Sequence, residues 1–278
     1  MTAPLLTIAT AAATIIAVFI AYMRYEAGAP VLETVRLTDE GDGLRVVQIS
    51  DVHINFKTVP IAKVASLLRE AAPRAIALKG DYINRPRDAA AFLTWMRGLI
   101  EAAAGADIYL CYGNHDAYAF LLSPRLKTEL TKNLKRLGVH VLENRTSAFT
   151  HNGKQYAITG FSDYYAAAPR GDYKKAFKGV PANARYHIGL SHNPDIAPEL
   201  SGTRPDLLLL GHFHGGQIWM PFSLEYICLR KEHMCKTGVR RGLYHYGGRL
   251  IYVSRGLGCV MFPLRLGSRP EITLFILP

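Results

Sequence analysis

Five short clusters of polar residues carry the candidate chemistry of this chain: Asp51-Val52-His53, Gly80-Asp81, Gly113-Asn114-His115-Asp116, Ser191-His192-Asn193 and Gly211-His212-Phe213-His214. Asp51, His53, Asp81, Asn114, His192, His212 and His214 together supply carboxylate, amide and imidazole donors, a mixture suited to Mn, Fe, Zn or a similar divalent ion. Seven donors exceed the needs of one ion. With one carboxylate shared, they suit two ions about 3.5–4 Å apart. Asp51 and His53 are two residues apart and can chelate one ion from a turn after a strand; His212 and His214 have the same spacing. Glycines at 80, 113, 211, 215 and 216 let the backbone turn tightly beside the ions. A lone Asp-x-His or Gly-Asp is more often an ordinary pair or turn. Gly-Asn-His-Asp is stronger, because a bland turn has no use for its histidine, and the ordered set of all five clusters is stronger still.

Each cluster follows an apolar run of strand length. The pattern predicts strands at Leu44–Ser50, Ala75–Lys79, Ile108–Tyr112, Tyr186–Leu190 and Leu207–Leu210, with shorter ones near Val139–Leu142 and Gln155–Thr159 and two more at Leu250–Ser254 and Glu271–Leu277. Apolar residues at three- and four-residue spacing predict helices at Val59–Ala72, Asp88–Ala104 and Pro124–Leu137, with Asp88 as an N-cap and Gly138 as a stop. The βαβαβα order of the first half requires a partly parallel, buried sheet, and the closer spacing of the later strands suggests antiparallel pairing. The expected class is an α/β sandwich. In such sheets the carboxyl ends of the strands converge on one crevice, which is where the five clusters fall. Residues 221–248, dense in Gly, Tyr, Cys and basic side chains, read as an irregular, cap-like excursion.

The 21 residues from Ala3 to Met23 carry no charge and would span about 31 Å as a helix, enough for a hydrocarbon core. No Lys or Arg precedes them, and Pro30 would directly follow the small-residue stretch Ala27-Gly28-Ala29, so an uncleaved anchor reads better than a signal peptide. Residues 1–24 are thus an expected membrane anchor, 25–43 a linker and 44–278 one domain. Arg24 follows the apolar run, and the positive-inside rule places the domain in the cytoplasm. The chain is 49% hydrophobic and 20% charged, which excludes both a disordered chain and a multi-span membrane protein. Its net charge of +11 is concentrated in residues 123–145 and 221–278 and suits anionic headgroups, nucleic acid or phosphorylated substrates. The four scattered cysteines argue against a disulfide framework, and Cys228, His233 and Cys235 lack a second ligand pair for a zinc knuckle.

On these motifs the sequence resembles the calcineurin-like metallophosphoesterase family across about residues 44–277, and within it the membrane-anchored, YkuE/YaeI-like phosphodiesterase branch. Gly215-Gly216-Gln217, Tyr252-Val253-Ser254-Arg255-Gly256-Leu257-Gly258 and Arg269-Pro270-Glu271 carry the closer likeness. The resemblance implies a four-layer α-β-β-α sandwich of two mixed sheets. It assigns Asp51, His53 and His214 to a first ion, Asn114, His192 and His212 to a second, and Asp81 as the bridge. His115 would donate a proton or stabilise charge at the scissile phosphate, and Asp116 would orient His115. Phe213 departs from the small polar residue that many relatives carry and could reshape the floor of the site.

The expected cofactors are two divalent ions, Mn, Fe or Zn, with Mn favoured. The expected activity is hydrolysis of a phosphodiester or pyrophosphate bond in a lipid-linked substrate at a bacterial inner membrane. The branch also resembles enzymes that hydrolyse UDP-2,3-diacylglucosamine in lipid A synthesis. A nuclease or nucleotide phosphodiesterase is the alternative, weakened by the anchor and by the lack of interleaved aromatic residues for base stacking. A scaffold that has lost its chemistry is a third reading, and the complete ligand set argues against it.

Overall fold

The computed structural model describes residues 2–41, 43–56, 59–163, 173–200 and 205–278. Its strands are β1 Val31–Arg36, β2 Leu44–Ser50, β3 Ala75–Lys79, β4 Asp107–Cys111, β5 His140–Val141, β6 Arg145–His151, β7 Lys154–Gly160, β8 Tyr186–Leu190, β9 Leu207–Leu210, β10 Gly242–Tyr246, β11 Arg249–Val253 and β12 Glu271–Leu277. They form two six-stranded sheets, ordered β1-β12-β2-β3-β4-β5 and β10-β11-β9-β8-β7-β6. The principal helices are α1 Thr2–Ala27, α2 Ile61–Ala71, α3 Ala89–Ala102, α4 Asn114–Leu122 and α5 Pro124–Arg136.

Strand alternation sorts the apolar residues into three cores. Val47 and Ile49 of β2, Ile76 and Leu78 of β3, and Ile108 and Leu110 of β4 face the helices. They meet Val64 and Leu68 of α2, Phe92, Trp95, Met96 and Leu99 of α3, and Leu130 and Leu134 of α5, each set at helical spacing. Val46, Ala77 and Tyr109 point the other way and pack against Ile158, Ile188, Leu207 and Leu209 of the second sheet. Leu208, Leu210, Ile251 and Val253 form the third core with Ile196, Ala197, Leu200, Phe213 and Met234. The result is the expected α-β-β-α sandwich, with its fourth layer made of short 3-10 and single-turn segments such as Pro194–Leu200 and His233–Lys236.

Two expectations need correction and two gain detail. The second sheet is antiparallel only at β6–β7 and β10–β11, while β7, β8, β9 and β11 run parallel, as chain connections long enough for crossovers allow. Residues 25–43 are more than a linker: they contain β1, which pairs in parallel with β12. Asp88 stands at the N-cap position of α3, but its carboxylate caps no N–H of that helix and accepts the N–H groups of Asn84 at 3.0 Å and Arg85 at 2.9 Å. Residues 221–248 are irregular up to β10, whose Tyr244 and Tyr246 pack with Tyr226 on the third core.

Helix α1 is exposed from Pro4 to Tyr22, long and apolar enough to cross a membrane. At Met23 it meets the body. Met23, Glu26 and Ala27 are buried, and the Arg265 N–H donates to the Met23 carbonyl at 3.1 Å.

Candidate metal centre

The site lies on the seam between the two sheets. β2, β3 and β4 deliver Asp51, His53, Asp81 and Asn114 from one side, and β8 and β9 deliver His192, His212 and His214 from the other. The Leu210 carbonyl closes that seam. It accepts from Gln48 Nε2 at 3.2 Å, from Lys79 Nζ, and from the Ser254 N–H at 2.8 Å.

The turns are tight. Asp51, His53, Asp81, His212 and His214 adopt φ of +53°, +39°, +59°, +76° and +53°. For residues with a Cβ this left-handed backbone is unfavourable, on the order of 1–3 kcal/mol each, and survives only where surrounding structure enforces it. The Asp51 N–H donates to Gly80 O at 3.1 Å, His53 N–H to Asp81 O at 2.9 Å, and Gly211 N–H to His192 O at 2.9 Å, so the turns hold one another. Gly80 is required here: a Cβ on it would stand 2.6 Å from His192 Nδ1.

Two clusters of donor atoms result, Asp51 with His53 and His214, and Asp81 with His192 and His212. They are adjoining: Asp81 Oδ2 lies 3.0 Å from His192 Nε2 and 3.7 Å from His53 Nε2, and His192 Nε2 lies 4.0 Å from Asp51 Oδ1. Asp51, His53, Asp81, His192 and His214 are buried, whereas His212 and Asn114 are partly exposed and His115 is one-third exposed.

The outward-facing nitrogens show that the donor set fits ions. His53 Nδ1 is 2.9 Å from Asn84 Oδ1, His192 Nδ1 is 3.3 Å from the Lys79 carbonyl, and His212 Nε2 is 2.7 Å from Glu232 Oε1. Each contact takes a ring proton onto oxygen and leaves the other nitrogen's lone pair facing the site, the usual device for orienting metal-binding imidazoles. His53 Nε2 and Asn114 Oδ1 are buried without a protein partner, as metal donors would be.

Electrostatics concentrate here. Burial opposes the charge of Asp51, but His214 and His192 draw its carboxyl down to about 2. Burial likewise opposes charge on His192, yet Asp81 and Asp51 raise it to about 10, so without ions a proton occupies the position where a cation would sit. Burial holds His115 below the usual histidine value despite the nearby Asp81.

Two side chains take positions that the motifs did not predict. Asp116 does not touch His115. Its Oδ1 accepts the N–H groups of Tyr82 and Ile83, and its Oδ2 those of Asp81 and Gly113, all within 3.0 Å. Asn84 is the neighbour of His115: its Nδ2 is 3.1 Å from His115 Nδ1, while its Oδ1 holds His53. A donated N–H at Nδ1 leaves the His115 proton on Nε2, which faces Asp81 Oδ2 at 4.0 Å. The tripeptide Tyr82-Ile83-Asn84 after Gly80-Asp81 was a signal available in the sequence. Arg85, Asn114, His115, Tyr118 and Leu121 line one open cleft beside the ions' position. Phe213 is wholly buried beneath the site in the third core. Cys228 is exposed and Cys235 buried, and among the described residues they join no metal cluster.

The calcineurin-like phosphoesterase family matches residues 44–216, and the chain belongs to that family. It is 32% identical to the metallophosphoesterase YkuE of Bacillus subtilis over 85% of this chain and 79% of that one. It is 29% identical to the phosphodiesterase YaeI of Escherichia coli, over 85% and 83% of the two chains. With the UDP-2,3-diacylglucosamine pyrophosphatase LpxG of Chlamydia trachomatis the identity is 28%, over 84% and 83%. The solved sulfate thiohydrolase SoxB of Thermus thermophilus shares the fold, with a TM-score of 0.53 at 14% identity over 87% of this chain and 57% of that one. The protein is thus a metal-dependent phosphoesterase with two candidate ion-binding clusters.

Proposed function

We propose that this enzyme hydrolyses a phosphodiester or pyrophosphate bond in a lipid-linked substrate at the membrane surface, with UDP-2,3-diacylglucosamine the first candidate. The observation that carries the reading is the link through Ser268. Its N–H donates to Glu26 Oε1 in the last turn of α1, and its hydroxyl donates to the carbonyl of His214 in the metal centre, at 3.1 and 2.9 Å. One residue thus joins the apolar helix to an ion-binding turn. The named activity of LpxG supports the same substrate, and the exposed Tyr118 and Leu121 give the cleft an apolar rim next to His115.

In this reading Asp51, His53 and His214 would hold one ion, Asn114, His192 and His212 the other, and Asp81 would serve both. The ions, Mn²⁺ by preference, would supply Lewis acidity and a water nucleophile at neutral pH. Arg85 at the cleft mouth draws in the phosphate. His115, its Nε2 proton fixed by Asn84, donates toward the leaving oxygen. Asp116 holds the turns that carry Asp81 and Asn114. Helix α1 is a single-pass anchor in a bacterial inner membrane, and Arg24 behind its apolar run favours a cytoplasmic catalytic face.

The test is to load the detergent-extracted full chain with Mn²⁺ and offer it UDP-2,3-diacylglucosamine beside a generic phosphodiester, with Asp81→Ala as control. Release of UMP by the wild type and not by Asp81→Ala establishes the substrate. Hydrolysis of the generic diester alone rejects this substrate and keeps the chemistry.

A further inference from the structure

The apolar surface of this chain does not end with helix α1. Phe222 is 90% exposed and Met261 72%, and Trp219 and Phe262 are also more than half exposed. These four belong to two loops, 218–223 and 260–263, that are far apart in sequence and stitched together by one side chain. Gln217 Oε1 accepts the Val260 N–H at 2.7 Å, and its Nε2 donates to the carbonyls of Val260 at 2.9 Å and Phe262 at 3.2 Å.

Both loops are fastened to the end of α1. The Trp219 N–H donates to the Leu266 carbonyl at 2.8 Å, and the N–H of the preceding residue, Arg265, donates to Met23. Trp219 therefore stands two hydrogen bonds from the helix turn where exposure gives way to burial. Arg265 is fully buried, and its guanidinium donates to the carbonyls of Ser268, Arg255, Gly256 and Gly258, which makes this junction rigid. Phe222 and Met261 sit at φ of +57° and +62°, a backbone that bulky side chains rarely adopt, so their outward display is imposed by the turns that carry them. Exposed Tyr22 and Tyr25 flank the same level of the helix. An aromatic and apolar group at the mouth of a spanning helix is the composition of a membrane-interface belt.

We propose that Trp219, Phe222, Met261 and Phe262 form a second membrane contact, embedded in the interfacial layer of the bilayer that α1 crosses. The occupant of this surface is lipid, because the patch is continuous through Leu266 and Arg265 with a helix whose own exposed surface requires hydrocarbon. The contact fixes the tilt of the catalytic body on the membrane, since a helix alone leaves the body free to swivel about its axis. Gln217, which joins the loops, follows His214-Gly215-Gly216 directly, so the metal centre shares the orientation of the patch. The inference rests on the anchor reading of α1.

Tryptophan fluorescence of the full chain in phosphatidylcholine–phosphatidylglycerol vesicles tests it. The chain has two tryptophans, and Trp95 is buried in the helix-side core, so subtraction of a Trp219→Phe variant isolates Trp219. The expected result is strong quenching of Trp219 by lipids brominated high in the acyl chain and protection from aqueous iodide. The double variant Phe222→Asp/Met261→Asp should reverse both severalfold while hydrolysing a soluble phosphodiester at the wild-type rate. Iodide access without bromolipid quenching, in protein that resists carbonate extraction, overturns the proposal and leaves the anchor intact. Protection from both quenchers, with cross-linking between copies through a cysteine placed at 222, assigns the patch to a second copy and also overturns it. Release of the chain by carbonate removes the anchor reading, and the proposal with it.

Discussion

Glu232 Oε1 lies 2.7 Å from Nε2 of His212, so a residue from the irregular 221–248 segment holds a candidate metal ligand in place. Burial opposes the carboxylate's charge, but the hydrogen bond to His212 brings Glu232 down to about 2, and it stays ionised through the working range. With its Nε2 proton on Glu232, His212 presents Nδ1 toward His192 and Asp81. Replacing Glu232 by Ala should weaken Mn²⁺ binding on the order of 10–100-fold, as loss of such outer partners does. Calorimetric titration of the chelator-treated protein reads this directly; an unchanged affinity would show that the contact is incidental.

Asp81→Ala should abolish binding at both positions and all hydrolysis, because its carboxylate adjoins both clusters. Elemental analysis after Mn²⁺ loading and desalting gives the count. Loading the wild type should also release protons, since an ion displaces the one that Asp81 and Asp51 hold on His192. A weakly buffered solution should acidify on adding Mn²⁺, and the Asp81→Ala solution should not.

His115→Ala should retain its ions and lose turnover on the order of 10²–10⁴-fold, the usual worth of a positioned acid. Asn84→Ala should weaken Mn²⁺ binding, because its Oδ1 holds His53, and at equal metal content should lose less turnover than His115→Ala and add little in that background, because its Nδ2 reaches the leaving group through His115. Rates of the two single variants and the double variant, at equal metal content, decide this.

Asp116→Asn is nearly isosteric, yet it should destabilise the fold by about 1–3 kcal/mol, because one amide donor would then face backbone N–H groups that now donate to oxygen. Denaturant unfolding of the metal-free protein measures it. Wild-type stability with lost turnover would instead assign Asp116 a direct part in the chemistry.

Lys79 is fully buried between the sheets, and burial pushes its ammonium down to about 7 against the attraction of Asp51. Between pH of about 7 and 10.5 the unfolded chain therefore binds more protons than the folded one, and stability rises with pH, on the order of 5 kcal/mol across that window. Lys79→Met should flatten the rise. Unfolding midpoints of the metal-free protein at the two ends of the window are the readout, and an equal slope in the variant would place the effect elsewhere.

The parts of the fold legible in the sequence were those whose residues declare their own burial. β2, β3 and β9 are apolar on both faces, and each is followed by a donor cluster. β1, β6 and β10 were not seen as strands because edge positions leave half of their residues outside any core, and Arg145-Thr146-Ser147 resembles a loop. Helix α4 was hidden because its first turn is the Asn114-His115-Asp116 motif itself. The ligand candidates were readable as residue types, but Asn84 and Glu232 were not. Their importance comes from the imidazoles they meet across the fold, and neither local spacing nor composition carries that information.

The position of the site on the seam between the sheets has a consequence for biogenesis. On the ribosome, β2 is complete before any candidate ligand is available. Asp51, His53, Asp81 and Asn114 follow, but their cluster partners His192, His212 and His214 belong to strands made much later. A complete centre therefore forms only after translation has passed β9 and the second sheet has closed on the first. An ion that needs both halves of a cluster would then be captured only after that closure, so the metal available at that moment would weigh more than the intrinsic preference of the ligands.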